Sequence, residues 1–270
     1  MRTKKVGLAL SGGAVLGVAH LGVIKALEEK NISIDIIAGT SAGSLVGAFL
    51  AAGYNTKQLY SMAKKLSWDD LGRVTIPTKG LLNSQALQDF IDRELNNATI
   101  EQLPKPFAAV GVDLTSGKQV IFRNGPVSEA VRASSAIPGV FTPLIKNEQV
   151  IVDGGVLNFL PTNIVRDMGA DYVIGIKLIP SITPNKPPQN IIQILVNSFT
   201  LALSQIAEYA PAGNVTIIPD LTGLNPHDFK QADELFERGY QAGLKYAGRI
   251  SEDISKLAII KKVVQKIKND

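Results

Sequence analysis

The sequence predicts an α/β fold, a three-layer α/β/α sandwich around a mostly parallel central sheet. Three observations predict it. Short apolar runs of strand length alternate with longer segments of helical periodicity, which is how parallel strands covered on both faces are written in sequence. Two of the strand-to-helix passages are built from glycine and serine, as tight turns require. The 270 residues, 45% hydrophobic and 19% charged, supply a large core and lie outside the composition of disordered chains.

Taken in order, Val6 to Leu10 is apolar throughout and predicts a buried strand, and the segment from about Gly17 to Lys30 carries Leu21, Ile24 and Leu27 at helical spacing. Ile34 to Ala38 is a second strand. After a glycine-serine turn, Ala42 to Ala52 is helical, with Gly53 where a helix end wants a left-handed residue. Helices follow over 56–66 and, from a Ser84 N-cap, to Leu95. Strands are expected over 107–112, 119–122, 150–152, 172–178 and 215–218, and long helices over 191–209 and 229–254. The stretch PSITPNKPPQN, with four prolines at 180–190, is an irregular loop. The chain beyond this loop is too poor in strands to form a second core. One domain is therefore expected over 1–270, with a core of about 5–250 and a basic amphipathic helix over 251–270.

Composition excludes several chemistries. Without cysteine there are no disulfides and no thiolate, and two histidines leave any zinc site dependent on carboxylates. No metal and no organic cofactor is expected. The net charge is +4, but lysine and arginine are scattered except near the C-terminus. There is no basic stripe interleaved with aromatics, so nucleic acid is not an expected partner. The N-terminal MRTKK and the apolar run behind it imitate a signal peptide, yet Ser11, Gly12, Gly13, Gly17, His20 and Gly22 interrupt the run. Strand, loop and helix fit it better, and neither a signal peptide nor a spanning helix is expected. The expected location is cytoplasmic, with peripheral contact to a membrane surface. The sequence carries no reading of oligomeric state.

The segment Gly39-Thr40-Ser41-Ala42-Gly43 has the G-x-S-x-G pattern of a nucleophile elbow, with a strand before it and a helix after it. A helix starting at Ser41 directs free N–H groups and a positive dipole end at the hydroxyl. The loop SGGAVLG at 11–17, also between strand and helix, offers converging backbone donors for an oxyanion. As a dinucleotide or phosphate loop it fails: position 14 is alanine, and no Walker lysine is present. Neither histidine convinces as a base. His227 sits in LNPHDF, a loop entering a helix, and His20 lies on the first helix as a packing residue. In VIVDGGVLNFLP, by contrast, Asp153 ends a strand and is followed by Gly154 and Gly155. A carboxylate there has backbone room to approach a serine, although an Asp-Gly turn alone would explain it.

Together these stretches resemble the bacterial patatin-like phospholipase family over about residues 5–250. LALSGGAVLGVAHLGVIKALEE, IDIIAGTSAGSLVGAFLAAGY, VRASSAIPGVFTPL and VDGGVLNFLPTNIVRDMGADYVIGI occur in the family's order. The resemblance implies a Ser-Asp dyad acting on lipid acyl esters. Ser41 would be the nucleophile, Asp153 its base, and the amides of Gly12, Gly13 and Ala14 the oxyanion hole. Gly17, Gly39, Gly43, Gly154 and Gly155 would shape these motifs. Where relatives often carry a third glycine and then Arg or Lys, this chain has Ala14 and Leu16. The cation that would meet a phosphate is missing, which leaves phospholipids and neutral acyl esters both open as substrates.

Three functional readings stand: a lipid acyl hydrolase, an acyltransferase on the same dyad, and a non-catalytic lipid-binding protein that keeps the fold. For lipid contact, the segment 66–84, with Trp68, Leu71, Ile76, Leu81 and Leu82 among turn residues, is expected to be exposed as a lid or membrane-touching loop. In LAIIKKVVQKIKND, Leu257, Ile260, Val264 and Ile267 oppose Lys261, Lys262, Lys266 and Lys268 as on a surface-lying helix. The stretch SSAIPGVFTP, 134–143, is expected to be a stiff loop near the site.

Overall fold

The computed structural model describes residues 4–67, 70, 73–74, 80–179 and 187–269. Its strands are β1 (Val6–Leu10), β2 (Ile36–Thr40), β3 (Arg73–Val74), β4 (Leu82–Asn83), β5 (Phe107–Asp113), β6 (Lys118–Phe122), β7 (Leu144–Lys146), β8 (Gln149–Asp153), β9 (Tyr172–Ile176) and β10 (Val215–Ile217). Its α-helices are α1 (Val18–Glu29), α2 (Ala42–Ala51), α3 (Thr56–Ala63), α4 (Gln85–Glu94), α5 (Val127–Ser134), α6 (Thr162–Asp167), α7 (Ile191–Glu208) and α8 (Ala232–Asn269).

β10, β9, β1, β2 and β5 lie side by side and parallel, while at the β5 end β6 and β8 each pair antiparallel with β5 and β7 pairs antiparallel with β8. β1, β2 and β9 are buried at every residue, because a parallel sheet is covered on both faces and its strands lose the alternation of a half-exposed one. On one face Leu8, Leu10, Ile37 and Ile176 pack with α1 and α8. On the other, Ala9, Ala38, Val110 and Val173 pack with Ile164 and Val165 of α6. These are the three layers the sequence predicts. The apolar N-terminal run owes its hydropathy to this burial.

β5 has two edges, and their use determines where the site forms. β6 occupies one edge along Ala109–Asp113. The other is shared: β2 pairs with it up to Thr40 opposite Val110, and β8 takes over with Asp153 opposite Gly111. The C-terminal ends of β2 and β8 therefore meet head to head along one strand.

The sequence places most elements within a residue or two. It misses α5 and α6, of 8 and 6 residues, and the short strand β7. It also separates a C-terminal helix at 251, where α8 runs without a break from Ala232 to Asn269. The side chains of Ile260, Val264, Ile267 and the four lysines named with them lie outside the described residues, as do Trp68, Leu71 and Ile76. Leu81 and Leu82 are half-buried and not exposed; both amides donate to the carbonyl of Val140, at 2.9 and 2.8 Å. Gly53 has φ +96° and ends α2 as expected.

α8 is held by backbone-to-backbone contact with α1. A Cβ on Gly239 would stand 2.1 Å from the carbonyl oxygen of Ala19, and one on Gly22 would stand 2.0 Å from that of Phe236. Neither obstacle is a flexible side-chain tip, so the helices must separate to admit a methyl group. Gly239→Ala is expected to lower stability by about 1–3 kcal/mol, read as a lower urea midpoint with an unchanged m-value.

Candidate active site

Ser41 stands where β2 turns into α2, with φ 54° and ψ −127°. A side-chain-bearing residue at positive φ is strained, by roughly 1–3 kcal/mol, and persists only where its surroundings fix it. Here the turn is forced by closeness. A Cβ on Gly39 would lie 2.2 Å from the Gly43 carbonyl oxygen, and one on Gly43 would lie 2.3 Å from that of Leu10. The Ser41 N–H donates to Ser134 Oγ at 3.0 Å, and that hydroxyl donates to the Val110 carbonyl at 2.6 Å. Ser44 Oγ donates to the Ser41 carbonyl at 2.6 Å. The Ser41 backbone, β5 and the end of α5 are thus tied at one point.

Asp153, the last residue of β8, is buried. The Gly155 N–H donates to its Oδ1 at 2.8 Å, and its own N–H donates to the Ala136 carbonyl at 2.9 Å. Burial pushes its carboxyl up to about 6, against the opposing pull of hydrogen bonds from the Ser41 hydroxyl and the Gly155 N–H. Ser134 and Ala136, two residues apart, thus hold Ser41 and Asp153 respectively. Sequence reasoning misses Ser134, and reads 134–143 only as a stiff loop near the site. The signal is there in VSEAVRAS, whose Val127, Ala130 and Val131 follow helical spacing after Pro126 and are all buried.

The glycine loop lies beside this pair because Leu10 is in register with Gly39. A Cβ on Gly12 would touch the Ser41 Cβ at 3.4 Å, and one on Gly17 would stand 2.9 Å from the Ala42 Cβ. The Gly12 N–H, expected to face an oxyanion, donates instead to the Phe159 carbonyl at 3.3 Å. The amides of Gly13 and Ala14 have no acceptor among the described residues, and these two residues carry φ 150° and 50°. Ala14 therefore takes the left-handed backbone a glycine would hold without strain. Leu16 is buried in the main core, so its side chain points away from solvent. Gly154 packs on the Val110 carbonyl, which a Cβ would reach at 2.2 Å.

His20 is committed to the glycine loop. His20 is fully buried, with Nε2 at 2.9 Å from the Ser11 carbonyl, and burial lowers its pKa to about 4. As a neutral donor it anchors the glycine loop. Ser11 completes the anchor: its Oγ donates to the Gly12 carbonyl at 2.9 Å and accepts from the Leu178 N–H at 2.8 Å. His227 is also held below its usual pKa by burial.

An apolar cavity of about 140 Å³ runs from Ser41 and Ala14 inward between α2, α3 and α4, walled by Leu45, Phe49, Met62, Phe90, Ile137 and Phe141. Leu66 and Ser84, the two ends of the segment expected to be a lid, also line it.

Residues 8–166 match the model of the patatin-like phospholipase family. The chain belongs to that family. Among relatives of this patatin-like chain, an uncharacterized NTE family protein of Mycobacterium tuberculosis is 32% identical, the match covering 88% of this chain and 46% of that protein. Lysophospholipase NTE1 of Coccidioides immitis is 28% identical, over 93% of this chain and 18% of its own. The patatin-like chain thus spans about half the length of the first relative and under a fifth of the second. The crystal structure of VipD from Legionella pneumophila superposes with a TM-score of 0.59 at 16% identity, covering 92% of this chain and 67% of that one. At that identity the likeness is one of fold.

The buried pair has two measurable consequences. Because the folded-state pKa of Asp153 is raised from 3.8 to about 6, the native chain holds a proton that the unfolded chain has released between those values. Stability therefore falls as pH rises from about 4 to 6. Asp153→Asn is expected to remove that fall and to be more stable than wild type at pH 8 by about 2–3 kcal/mol, with the difference vanishing at pH 4 in urea titrations. Ser134→Ala leaves the Ser41 N–H and the Val110 carbonyl unpaired in the interior, and thermal melts are expected to register a loss of about 1–3 kcal/mol.

Proposed function

We propose that the chain hydrolyses carboxylic esters of lipid acyl chains through Ser41 and Asp153. The observation that carries this reading is the Ser41 hydroxyl set against a buried carboxylate at the head of an apolar cavity. The acyl chain lies in the cavity, where its methylenes leave water at about 0.8 kcal/mol each, and this puts the ester carbonyl at Ser41. Asp153 accepts the proton as Ser41 Oγ attacks and returns it to the departing alkoxide oxygen, so that a covalent acyl-enzyme forms, the alcohol is released and the carboxylate is regenerated. The amides of Gly13 and Ala14 donate to the developing oxyanion, helped by the N-terminus of α2. Water then attacks the acyl-enzyme, with Asp153 again taking a proton and passing it to Ser41 Oγ as the acyl–oxygen bond breaks, and the free fatty acid leaves.

A carboxylate with an ordinary pKa near 3.9 is a weak base for a hydroxyl. Raised to about 6, Asp153 is better matched to the task and still ionised at neutral pH. Family membership and the name of the fungal relative, a lysophospholipase, support a lipid ester as substrate. An acyltransferase would use the same first half-reaction and differ only in the acceptor.

Turnover of a chain-length series of aryl esters tests the reading. Wild type is expected to prefer longer acyl groups, with kcat/KM rising as pH passes about 6, where Asp153 ionises. Ser41→Ala is expected to lose turnover by roughly 10³-fold or more. Wild-type turnover in Ser41→Ala would refute the mechanism, and product appearing only when an alcohol acceptor is added would favour the transferase.

A further inference from the structure

We propose that helix α7 is the surface by which the protein sits on a lipid bilayer. This rests on the lipid-ester reading of the site. A helix that faces water ordinarily carries charge on its outward side. From Ile191 to Ala207 this one carries none. Its outward face instead presents Ile191, Ile194, Leu195 and Leu201, exposed by 69, 50, 40 and 54%, and Tyr209, at its C-terminal cap, is 84% exposed. Only Thr200 and Ala207 of the helix are buried among its described side chains.

The place of this helix in the fold ties it to the site. Its inner side lies on the turn Gly154–Val156, directly after Asp153: a Cβ on Gly155 would come within 2.8 Å of Leu203 Cδ2. Leu157, at the end of that turn, is itself 46% exposed and extends the apolar area. Val196 packs with Ile137 and Phe141, which wall the acyl cavity, and Leu195 lies against Gly139. The exposed face of α7 is therefore continuous with the outer side of the wall around Ser41.

A bilayer is the occupant that fits. Aliphatic side chains without accompanying charge suit the region between headgroups and acyl tails, and a phenol suits headgroup level. A lipid drawn from that surface has its ester at the depth where the cavity begins. No helix among the described residues is long and apolar enough to cross a membrane, so the contact is one of lying on the surface.

The test uses the full chain, phosphatidylcholine vesicles, and the double variant Ile194→Glu/Leu201→Glu, whose changes face outward. Flotation is expected to show at least about tenfold weaker vesicle binding. Hydrolysis of vesicle phospholipid is expected to fall in step, with turnover of a soluble short-chain aryl ester within about twofold of wild type. Tyr209→Ser is expected to act in the same direction. Wild-type binding is expected to persist in about 0.5 M salt, since no charge is involved. Ser41→Ala is expected to bind vesicles as wild type does, and a wild type that binds through α7 yet cleaves neither ester would sink the hydrolase reading while upholding this one. Unchanged binding by the double variant overturns the proposal. So does binding abolished by salt, or a wild-type dimer that the variant splits, because a second copy would then cover the face.

Discussion

The site depends on one edge of one strand. β5 gives that edge to β2 as far as Val110 and to β8 from Gly111 onward, so two strands running in opposite directions end against each other. A strand end is where backbone leaves the ladder and side chains are freed from alternation. Ser41 and Asp153, far apart in sequence, meet there because the register of β5 changes hands between them. The Val110 carbonyl, at the handover, accepts from Ser134, whose hydroxyl in turn accepts from Ser41 N–H. One hydroxyl thus takes the place of a ladder bond that β2 can no longer make.

The energetic consequences oppose one another. The positive φ of Ser41 and the buried carboxylate of Asp153 each cost stability, as strained and desolvated groups do. Both are held by neighbours that leave little freedom: Gly39 and Gly43 crowd the elbow, and Ser134 and Ala136 fix the two backbones from a single turn. The strained turn sets Ser41 at the head of the cavity, and burial gives the carboxylate its raised pKa. In the proposed mechanism, stability forgone at these two residues lets a serine and an aspartate act without a histidine.

The sequence makes some of this legible, and physics explains which parts. GTSAG can be read because a strand-to-helix turn with two close backbone approaches leaves no choice of residue at Gly39 and Gly43. Asp153 can be read as a candidate from its strand end and glycines, but not its position opposite Gly111, since antiparallel insertion of β8 beside a parallel strand leaves no local signature. The Gly12 amide, expected at an oxyanion, is taken by the Phe159 carbonyl, which arrives from far along the chain and which no local pattern encodes. α5 escapes because it is only eight residues long, too short for its helical spacing of Val127, Ala130 and Val131 to stand out. Leu81 and Leu82 look exposed in sequence and are tied down by Val140. The apolar character of α7 does not say which side is outside, and three-dimensional placement alone exposes Ile191, Ile194, Leu195 and Leu201.

The central claim is that Ser41 forms the covalent intermediate with Asp153 as its base. Mass-spectrometric peptide mapping after exposure to a long-chain fluorophosphonate tests it most directly. The account predicts one adduct, on Ser41, forming much more slowly in Asp153→Asn. An adduct on another residue, or Ser41 labelling at an equal rate in Asp153→Asn, would contradict it.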